Sequence, residues 1–199
     1  MKKAIIVFQK FPEAGKVKTR LAKSIGEEKA AKLYAFLLRH THQQLKEMGA
    51  SIFVFHQGPV VAHEYPEQGY FFFPQKGNDL GEKMALAFQK VFEMGFDQVL
   101  VIGTDCYELK SKHLHQAFSA LGKNDVVLGP ARDGGYYLLG MKKFRSHLFQ
   151  GISWSTSTVL HATLKKAVDA GLSTSLLDTL NDVDRYEDLG ELKDMLDQF

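Results

Sequence analysis

The sequence Gln98-Val99-Leu100-Val101-Ile102-Gly103-Thr104-Asp105-Cys106 contains the segment that decides the fold of this chain. Its unbroken apolar run, Val99–Ile102, predicts that Gln98–Ile102 is a short strand buried on both faces, as strands of parallel sheets are. Helical periodicity flanks this strand on both sides, over Leu80–Met94 and Ser111–Leu121. The succession of helix, buried strand and helix predicts an α/β fold with a largely parallel central sheet and helices on both faces.

The same alternation continues in both directions along the chain. The further predicted strands are Lys3–Gln9, Ser51–Phe55, Tyr70–Phe73, Asp125–Leu128, Tyr136–Met141 and Thr174–Leu177. The further predicted helices are Glu27–Met48, Thr156–Ala170 and Asp184–Leu196. We therefore expect one domain over residues 1–199, without an internal repeat. Ligands of such sheets bind beyond the carboxyl ends of the strands, so the loops after the strands are expected to meet at one edge.

Length and composition indicate a globular protein whose stability rests on a hydrophobic core. The 199 residues are 45% apolar and 24% charged, with a net charge of +2, which is close to average globular usage. A single cysteine, Cys106, excludes an intramolecular disulfide and a multi-cysteine zinc site. A thiol nucleophile at Cys106 is a weak alternative, because its possible partners, His113 and His115, fall on the following helix.

The same composition limits the location and the partners of the protein. No apolar run approaches the roughly 18 residues of a membrane span, so we expect no membrane span and a cytoplasmic protein. The weak net charge argues against binding to nucleic acid. The oligomeric state is not indicated by the sequence.

Charge is unevenly distributed along the chain. Residues 1–46 carry 11 basic and 3 acidic side chains, a net of +8, whereas residues 178–199 carry 2 basic and 8 acidic side chains, a net of −6. This asymmetry predicts an anion site near the start of the chain and a cation site near its end. Solvated helix faces are the alternative for most of these charges.

The loop after the first strand has the composition of a phosphate site. Its residues 16–20 combine three cations and a hydroxyl: Lys16, Lys18, Thr19 and Arg20. Cations just before a helix favour a bound anion. The loop is not a Walker A loop, and the chain has no G-x-G-x-x-G fingerprint. A solvated surface turn is the alternative.

Carboxylates follow several predicted strands. Asp105 is a natural half of a Mg²⁺ site, since this cation is commonly held by one or two carboxylates together with substrate phosphates; capping of a turn is the alternative. Asp182 and Asp184 alternate just before the last predicted helix. We expect one of them to be the N-cap of that helix and the other to be able to bind metal.

Asp133 stands in Asp133-Gly134-Gly135-Tyr136-Tyr137, directly after a predicted strand. The glycines would let a ligand approach the backbone, and the tyrosines offer a stacking surface. If the ligand carries a hydroxyl that reacts, Asp133 is assigned the role of the general base that takes its proton. A metal ligand and a hairpin residue are the alternatives, because Asp-Gly is also a strong hairpin signal.

Six segments together carry a resemblance to a known family. In chain order they are Phe11-Pro12-x-x-Gly15-Lys16-x-Lys18-Thr19-Arg20-Leu21, Gln75-x-Gly77-x-Asp79-Leu80-Gly81-x-x-Met84, Ile102-Gly103-Thr104-Asp105, Leu128-Gly129-Pro130-Ala131-x-Asp133-Gly134-Gly135-Tyr136-Tyr137-Leu138-x-Gly140, Trp154-Ser155-Thr156 and Asp182-Val183-Asp184-x-x-Glu187-Asp188-Leu189. The chain resembles the bacterial rSAM/selenodomain-associated transferase 1 family. That family is a branch of the nucleotide-diphospho-sugar transferases with the GT-A fold, related to the molybdenum-cofactor and 2-phospholactate guanylyltransferases.

The resemblance implies a metal-dependent transferase with a nucleotide-activated donor and a small-molecule acceptor. The implied nucleotide-binding residues are Gly15, Lys16, Lys18, Thr19, Arg20, Gln75, Gly77, Asp79, Leu80 and Gly81. Of these, Lys18 and Arg20 would hold the diphosphate and serve catalysis. Mg²⁺ or Mn²⁺ would be held by Asp105 with Asp182 or Asp184. The residues assigned to acceptor binding are Gly134, Gly135, Tyr136 and Trp154.

Two positions depart from the pattern of this family. Tyr107 stands where such sequences usually have Pro, and Arg185 stands where they usually have Thr. Arg185 therefore places a cation beside the implied metal ligands.

Two forms of the reaction share this metal chemistry. A sugar could move from a nucleotide-diphospho-sugar, or a nucleotidyl group could move from a nucleoside triphosphate with release of pyrophosphate. Gly15 is the one glycine of the first loop, whereas loops that wrap a triphosphate are usually richer in glycine. The sequence therefore favours glycosyl transfer, with nucleotidyl transfer and a non-catalytic nucleotide-binding module as alternatives.

Overall fold

The computed structural model describes residues 1–60, 65, 66 and 68–199. The strands are β1 (Lys3–Lys10), β2 (Ser51–Gln57), β3 (Tyr70–Pro74), β4 (Gln98–Ile102), β5 (Val126–Pro130), β6 (Tyr136–Met141) and β7 (Thr174–Leu176). The α-helices are α1 (Thr19–Ile25), α2 (Glu27–Leu45), α3 (Leu80–Glu93), α4 (Ser111–Leu121) and α5 (Val159–Asp169). Within the described residues, 3₁₀ segments span Ser146–Phe149 and Tyr186–Gln198.

The strands form one mixed sheet in the order β3-β2-β1-β4-β6-β5-β7. The pairs β1–β2, β1–β4, β2–β3 and β5–β7 are parallel. Strand β6 is antiparallel to both β4 and β5. The reversal follows from the short link between β5 and β6, because a parallel crossover needs a dozen or more residues. The prediction of a largely parallel α/β sheet is confirmed, with one reversed strand.

Buried apolar side chains cover both faces of this sheet. On one face, helix α4 packs its apolar stripe, Leu114, Ala117, Phe118 and Leu121, together with Leu45 of α2. On the other face, helix α3 packs Met84, Ala87, Phe88 and Val91, together with Ala167 of α5. A separate cluster joins α1 and α2 to the terminal 3₁₀ segment through Leu21, Leu33, Leu37, Leu189 and Leu192. The last cluster brings the acidic end of the chain beside the basic first loop.

The end of the chain differs from the prediction. The α-helix expected over Asp184–Leu196 is instead the 3₁₀ segment Tyr186–Gln198, which is interrupted at Gly190 with φ of 52°. The expected cap is also wrong. The carboxylate of Asp188 accepts hydrogen bonds from the backbone N–H groups of Asp184 at 3.1 Å and Arg185 at 2.7 Å. Asp184 therefore precedes this segment without capping it.

Helix α5 begins at Val159, three residues later than predicted. A turn precedes it, in which the Thr156 hydroxyl donates to the Ser153 carbonyl at 2.7 Å and Ser155 has a left-handed φ of 62°. Among the described residues, no helix has the length and apolar character needed to cross a membrane.

Candidate active site

A cleft of about 790 Å³ opens at the carboxyl edge of the sheet. Its walls are the loops that follow β1, β3 and β4, the β5–β6 hairpin, and the segment before the terminal 3₁₀ turns. The site residues expected from the sequence that line it are Lys18, Thr19, Arg20, Gln75, Asp79, Leu80, Asp105, Asp133, Gly135, Tyr136, Trp154, Asp182 and Asp184. Its volume lies within the range of small-molecule sites.

The ammonium group of Lys18 lies between two carboxylates. Its Nζ is 2.5 Å from Asp105 Oδ1 and 3.1 Å from Asp184 Oδ1. The Lys18 side chain is only 3% exposed, whereas both carboxylate side chains are 44% exposed. Burial by itself lowers the pKa of Lys18, but the charges of Asp105 and Asp184 and their hydrogen bonds raise this pKa above its ordinary value. The Lys18 side chain is therefore protonated and positively charged at neutral pH.

The backbone of Lys18 adopts an uncommon conformation that aims its side chain inward. Lys18 has φ of 48° and ψ of 40°, the left-handed region, at the position just before α1. A non-glycine residue there costs free energy and persists only where its surroundings hold it. Val17 and Leu21, on either side, are 3% and 0% exposed and anchor the loop in the core.

Arg20 is the second cation at this point of the cleft. Its Nη1 lies 3.8 Å from Asp184 Oδ2, and its side chain is 62% exposed. Gly15 and Lys16 lie differently: neither lines the cleft, and the Lys16 ammonium instead pairs with Glu13 at 2.8 Å. The structure therefore brings two of the three loop cations to the cleft.

Asp182 adds a third carboxylate to the acidic side of the cleft. Loss of hydration, followed by the nearby charge of Asp105, raises the pKa of Asp182 to about 7, although Lys18 acts in the opposite direction. The backbone N–H of Val183 donates to the Asp105 carbonyl at 2.9 Å. This bond fixes the end of the chain beside the β4 loop and keeps the carboxylates together.

The donor set of this cluster fits Mg²⁺ or Mn²⁺. Asp105, Asp182 and Asp184 supply hard oxygen ligands, and a site for such a cation often has only one or two protein carboxylates besides phosphate oxygens. Within the described residues, no group of three or more His, Cys, Asp or Glu side chains is arranged to hold a metal ion. A pair of these carboxylates with phosphate oxygens is the arrangement that fits.

Asp133 lies at the hairpin between β5 and β6 and also lines the cleft. Its Oδ1 accepts a hydrogen bond from the Gly135 N–H at 2.8 Å. Gly134 has φ of +89°, and a Cβ at this position would lie 2.1 Å from the Ser157 carbonyl oxygen. Gly134 is therefore needed for close packing against the Ser157 backbone, a requirement that the sequence did not reveal.

Tyr136 and Trp154 form an aromatic wall of the cleft. Burial raises the pKa of Tyr136 above its ordinary value. Trp154 is stacked on Phe149 at a ring-centroid distance of 6.5 Å. A Cβ at Gly81 would come within 2.1 Å of Trp154 Nε1, so Gly81 makes room for the indole rather than lining the cleft.

The loop after β3 is held by its own side chains. The Gln75 side-chain amide donates to the carbonyls of Gln9 at 3.2 Å and Phe55 at 3.0 Å. The Asp79 carboxylate caps α3 by accepting from the Glu82 N–H at 2.8 Å. Gly77 lies outside the cleft lining in a conformation with φ of +121°. These contacts place Gln75 and Asp79 at the cleft.

The sequence analysis did not identify Tyr34 as part of the site. Its hydroxyl accepts from the Lys10 N–H at 2.9 Å and lies 3.0 Å from the Thr104 hydroxyl, and it lines the cleft. The periodicity of α2 conceals this role, because Tyr34 lies between Leu33 and Leu37 on a helix rich in buried residues. Only the tertiary structure shows that it joins the β1 loop to the β4 loop.

Cys106 lacks the properties of a nucleophile. It is 3% exposed, and burial, with the nearby Asp182 charge, raises the pKa of its thiol to about 12. His113 Nδ1 accepts a hydrogen bond from the Lys110 N–H at 3.1 Å. A neutral thiol of this kind is inert at physiological pH.

The two departures from the family pattern are both accommodated outside the cleft lining. Tyr107 packs against His40 and Phe36, with ring centroids at 4.8 Å and 5.8 Å. Arg185 is exposed at the start of the terminal 3₁₀ segment.

Comparisons with known proteins agree with a transferase-type fold. The family model "Uncharacterized protein conserved in bacteria (DUF2064)" matches residues 37–156, more than half of the chain. The chain is similar to a crystal structure from Desulfovibrio desulfuricans G20 that is provisionally described as a nucleotide-diphospho-sugar transferase. The two share 33% sequence identity with a TM-score of 0.88, over 100% of this chain and 98% of that chain.

The chain is more distantly similar to a guanylyltransferase in sequence and to a solved mycobacterial structure in fold. The chain is 24% identical over 176 residues, 88% of this chain and 75% of that protein, to the 2-phospho-L-lactate guanylyltransferase of Methanocaldococcus sp. (strain FS406-22). Rv0371c from Mycobacterium tuberculosis H37Rv has a TM-score of 0.61 at 11% identity, over 98% of this chain and 99% of that chain. A second structure of Rv0371c is a complex with manganese. At such low identity, the likeness to Rv0371c concerns the fold alone.

Proposed function

The chain belongs to the bacterial DUF2064 family, and on that premise we propose that it is a metal-dependent transferase that acts on a nucleotide-activated donor. The observation that carries this proposal is the position of Lys18, whose Nζ lies 2.5 Å from Asp105 and 3.1 Å from Asp184 at the carboxyl edge of the sheet. Cations and carboxylates in such proximity suit a phosphate group together with a divalent cation.

Each charged side chain has a separate task in this proposal. Lys18 and Arg20 hold the diphosphate of the donor and offset the charge that develops as its bond breaks. Mg²⁺ or Mn²⁺, held by Asp105 with Asp182 or Asp184, would supply further neutralisation of the leaving group. The manganese complex of Rv0371c supports the choice of cation, and the finer family named from the sequence motifs stays a prediction.

We favour the glycosyl form of the reaction because of the backbone of the first loop. Its N–H groups at Phe11, Glu13 and Lys16 donate to the carbonyls of Gln57, Phe11 and Glu13 at 2.8, 2.9 and 3.0 Å. These three amides are therefore not available to bind a triphosphate. A nucleotide-diphospho-sugar has two phosphates and therefore needs fewer contacts from the loop than a triphosphate. In the glycosyl reaction the bond from the sugar to the diphosphate breaks, a bond from the sugar to the acceptor forms, and the nucleoside diphosphate leaves.

Asp133 is the proposed general base for the acceptor hydroxyl. Its hydrogen bond from the Gly135 N–H at 2.8 Å orients the carboxylate beside the cleft. General-base catalysis of this kind is typically worth about 10²–10⁴-fold in rate. The aromatic wall of Tyr136 and Trp154 would contact the acceptor beside it.

Nucleotidyl transfer is the second candidate. Its support is the 24% identity to a guanylyltransferase over 88% of this chain. In that reaction an acceptor phosphate attacks the α-phosphorus of a nucleoside triphosphate, and pyrophosphate leaves. Lys18, Arg20 and the carboxylates would have the same tasks, whereas a general base would be unnecessary, because a phosphate oxygen is already ionised.

The test begins with ligand binding and ends with the leaving group. Thermal-shift measurements with nucleotide-sugars and nucleoside triphosphates, with and without Mn²⁺, should show a metal-dependent rise in melting temperature for the true donor. That donor is then incubated with candidate sugars, alcohols and phosphorylated acceptors. Release of nucleoside diphosphate supports glycosyl transfer, and release of pyrophosphate supports nucleotidyl transfer. Absence of any metal-dependent nucleotide binding would contradict both.

A further inference from the structure

Lys18 occupies the place between the carboxylates that a divalent cation would need. Its ammonium contacts Oδ1 of both Asp105 and Asp184. Arg20 lies 3.8 Å from Oδ2 of the same Asp184. A cation that bridged Asp105 and Asp184 through the same oxygens would therefore meet the ammonium group directly.

The protein holds Lys18 in this place by its fold rather than by chance contact. The side chain is 3% exposed, although the carboxylates are open to the cleft. The left-handed backbone of Lys18 and the buried neighbours Val17 and Leu21 direct the side chain inward. Lys18 and Asp105 are 87 residues apart in the sequence, and Lys18 and Asp184 are 166 residues apart. The second ion pair joins the basic first part of the chain to its acidic last part.

From this geometry we infer that Lys18 is the resident counter-ion of the carboxylate cluster and competes with the divalent cation for it. Two positive charges cannot share these oxygens without strong repulsion at protein-like dielectric. A lysine has a flexible four-carbon stem, so its ammonium can move a few ångströms to a nearby phosphate while its backbone stays in place. The cation site is then complete only when a ligand phosphate binds the ammonium.

This competition makes binding of the cation and of the nucleotide mutually dependent. The cation binds weakly to the free protein and tightly once a diphosphate has drawn Lys18 away, and by linkage the cation strengthens nucleotide binding by the same factor. The nucleotide part of this statement rests on the proposed function. The competition between Lys18 and the cation concerns the free protein and does not.

The experiment measures Mn²⁺ binding to the free protein, with no nucleotide present. Free Mn²⁺ is followed by electron paramagnetic resonance for the wild type and for Lys18→Met, which keeps an unbranched side chain that is one atom shorter and removes its charge. We expect the variant to bind Mn²⁺ at least about tenfold more tightly, as removal of an adjacent like charge predicts. Lys23→Met, an exposed lysine on the same helix α1, removes an equal charge away from the carboxylates and should leave Mn²⁺ affinity unchanged.

A second variant guards against a folding defect. Lys18→Asn also removes the ammonium, and asparagine tolerates the left-handed backbone. Far-ultraviolet circular dichroism and thermal melting identify which of the two variants is folded. An Mn²⁺ affinity equal to or weaker than that of the wild type in a folded Lys18 variant would overturn the inference. An equal gain in Lys23→Met would also overturn it, because the effect would then be general charge.

The same Mn²⁺ titrations with a nucleotide present distinguish failure of this inference from failure of the proposed function. Addition of the donor found by thermal shift, or of a nucleoside diphosphate, should raise Mn²⁺ affinity about tenfold or more in the wild type and much less in Lys18→Met. If no nucleotide binds the wild type, the proposed function fails, while the comparison of Mn²⁺ affinities still decides the role of Lys18.

Discussion

The Tyr34 hydroxyl lies 3.0 Å from the Thr104 hydroxyl, buried between helix α2 and the loop that carries Asp105. The Lys10 N–H donates to the same tyrosine oxygen at 2.9 Å. The tyrosine oxygen thus accepts one hydrogen bond from Lys10 and shares a second with the Thr104 hydroxyl, in which either group can donate. One side chain of α2 thus connects the loop after β1, which presents Lys18, with the loop after β4, which presents Asp105.

Removal of this hydroxyl should loosen the site without unfolding the protein. Tyr34→Phe leaves the buried Thr104 hydroxyl and the Lys10 N–H without their partner, so we expect a loss of about 1–3 kcal/mol in the free energy of unfolding. Metal-dependent nucleotide binding should weaken as well. Urea unfolding and thermal-shift titration measure the two effects. Tyr107→Phe, on a ring that packs against His40 and Phe36, is the matched control, and an equal effect there would contradict a special role for Tyr34.

Asp105→Ala should abolish metal-dependent nucleotide binding and leave the fold in place. The carboxylate is 44% exposed, and Asp184 still pairs with Lys18 at 3.1 Å. We therefore expect a stability loss of no more than about 1 kcal/mol after allowance for solvent screening. Thermal-shift titration with Mn²⁺ and nucleotide measures binding, and Asp169→Ala, in an exposed ion pair of α5, is the control. A variant that melts much earlier yet binds as the wild type does would make Asp105 a structural cap.

Much of this site could be predicted from local sequence, because apolar runs and the residues after them are local features. The run Val99–Ile102 predicted β4, and the carboxyl-edge rule placed Asp105 at the cleft. The contact between Lys18 and Asp184 could not be predicted, since it depends on how the 3₁₀ end of the chain packs on α1 and α2. Charge asymmetry indicated only that the two ends attract.

The features that the sequence analysis did not identify also have local causes. Tyr136–Met141 has the composition of any buried strand, so its reversed direction became visible only through the short connection to β5. The terminal segment 186–198 has helical spacing of apolar residues, but Gly190 interrupts it in a non-helical conformation. The sequence does not distinguish Tyr34 from its buried neighbours, because periodicity indicates burial and cannot show what a buried hydroxyl contacts.

His42 should make stability depend on pH. It is 9% exposed, its Nε2 lies 2.8 Å from Gln9 Oε1 and its Nδ1 lies 3.3 Å from the Tyr70 hydroxyl. Burial lowers the pKa of His42 from 6.5 to about 4. Between these values the unfolded chain binds more protons than the native one, so stability is present above pH 6.5 and is lost as the pH falls towards 4.

A variant without the His42 imidazole measures how much of the pH-dependent loss in the free energy of unfolding is due to His42. A shift of this size corresponds to about 3 kcal/mol. Urea unfolding of the wild type and of His42→Gln at pH 7.5 and pH 4.5 measures it, because other titrating groups cancel in the difference between the two proteins. Equal pH dependence in both proteins would show that His42 is not the cause.

Gly134→Ala should disrupt the hairpin that carries Asp133. Its φ of +89° strains any other residue, and the added Cβ would lie 2.1 Å from the Ser157 carbonyl oxygen. Strain in the left-handed region alone costs about 1–2 kcal/mol, and the clash should add to it. Gly151→Ala is the matched control, because Gly151 has φ of +61° and no atom within 4 Å of the added Cβ. A loss in Gly134→Ala no greater than that in Gly151→Ala would contradict the packing argument.

Asp133→Asn tests the general base and, with it, the form of the reaction. The asparagine Oδ1 can still accept from the Gly135 N–H, which spans 2.8 Å in the native hairpin, so the turn and the cleft wall should be preserved. The amide cannot take a proton, and turnover should therefore fall by about 10²–10⁴-fold while donor and Mn²⁺ affinities stay within a factor of about two. Asp133→Ala, which also removes the turn bond, separates loss of the base from loss of the hairpin: it should lose stability as well as turnover. Lost donor affinity in Asp133→Asn would instead assign Asp133 to metal or phosphate binding, and unchanged turnover would make it a turn residue.

Because an acceptor phosphate needs no base, unchanged turnover with release of pyrophosphate is the result expected of nucleotidyl transfer, and it would replace the glycosyl proposal.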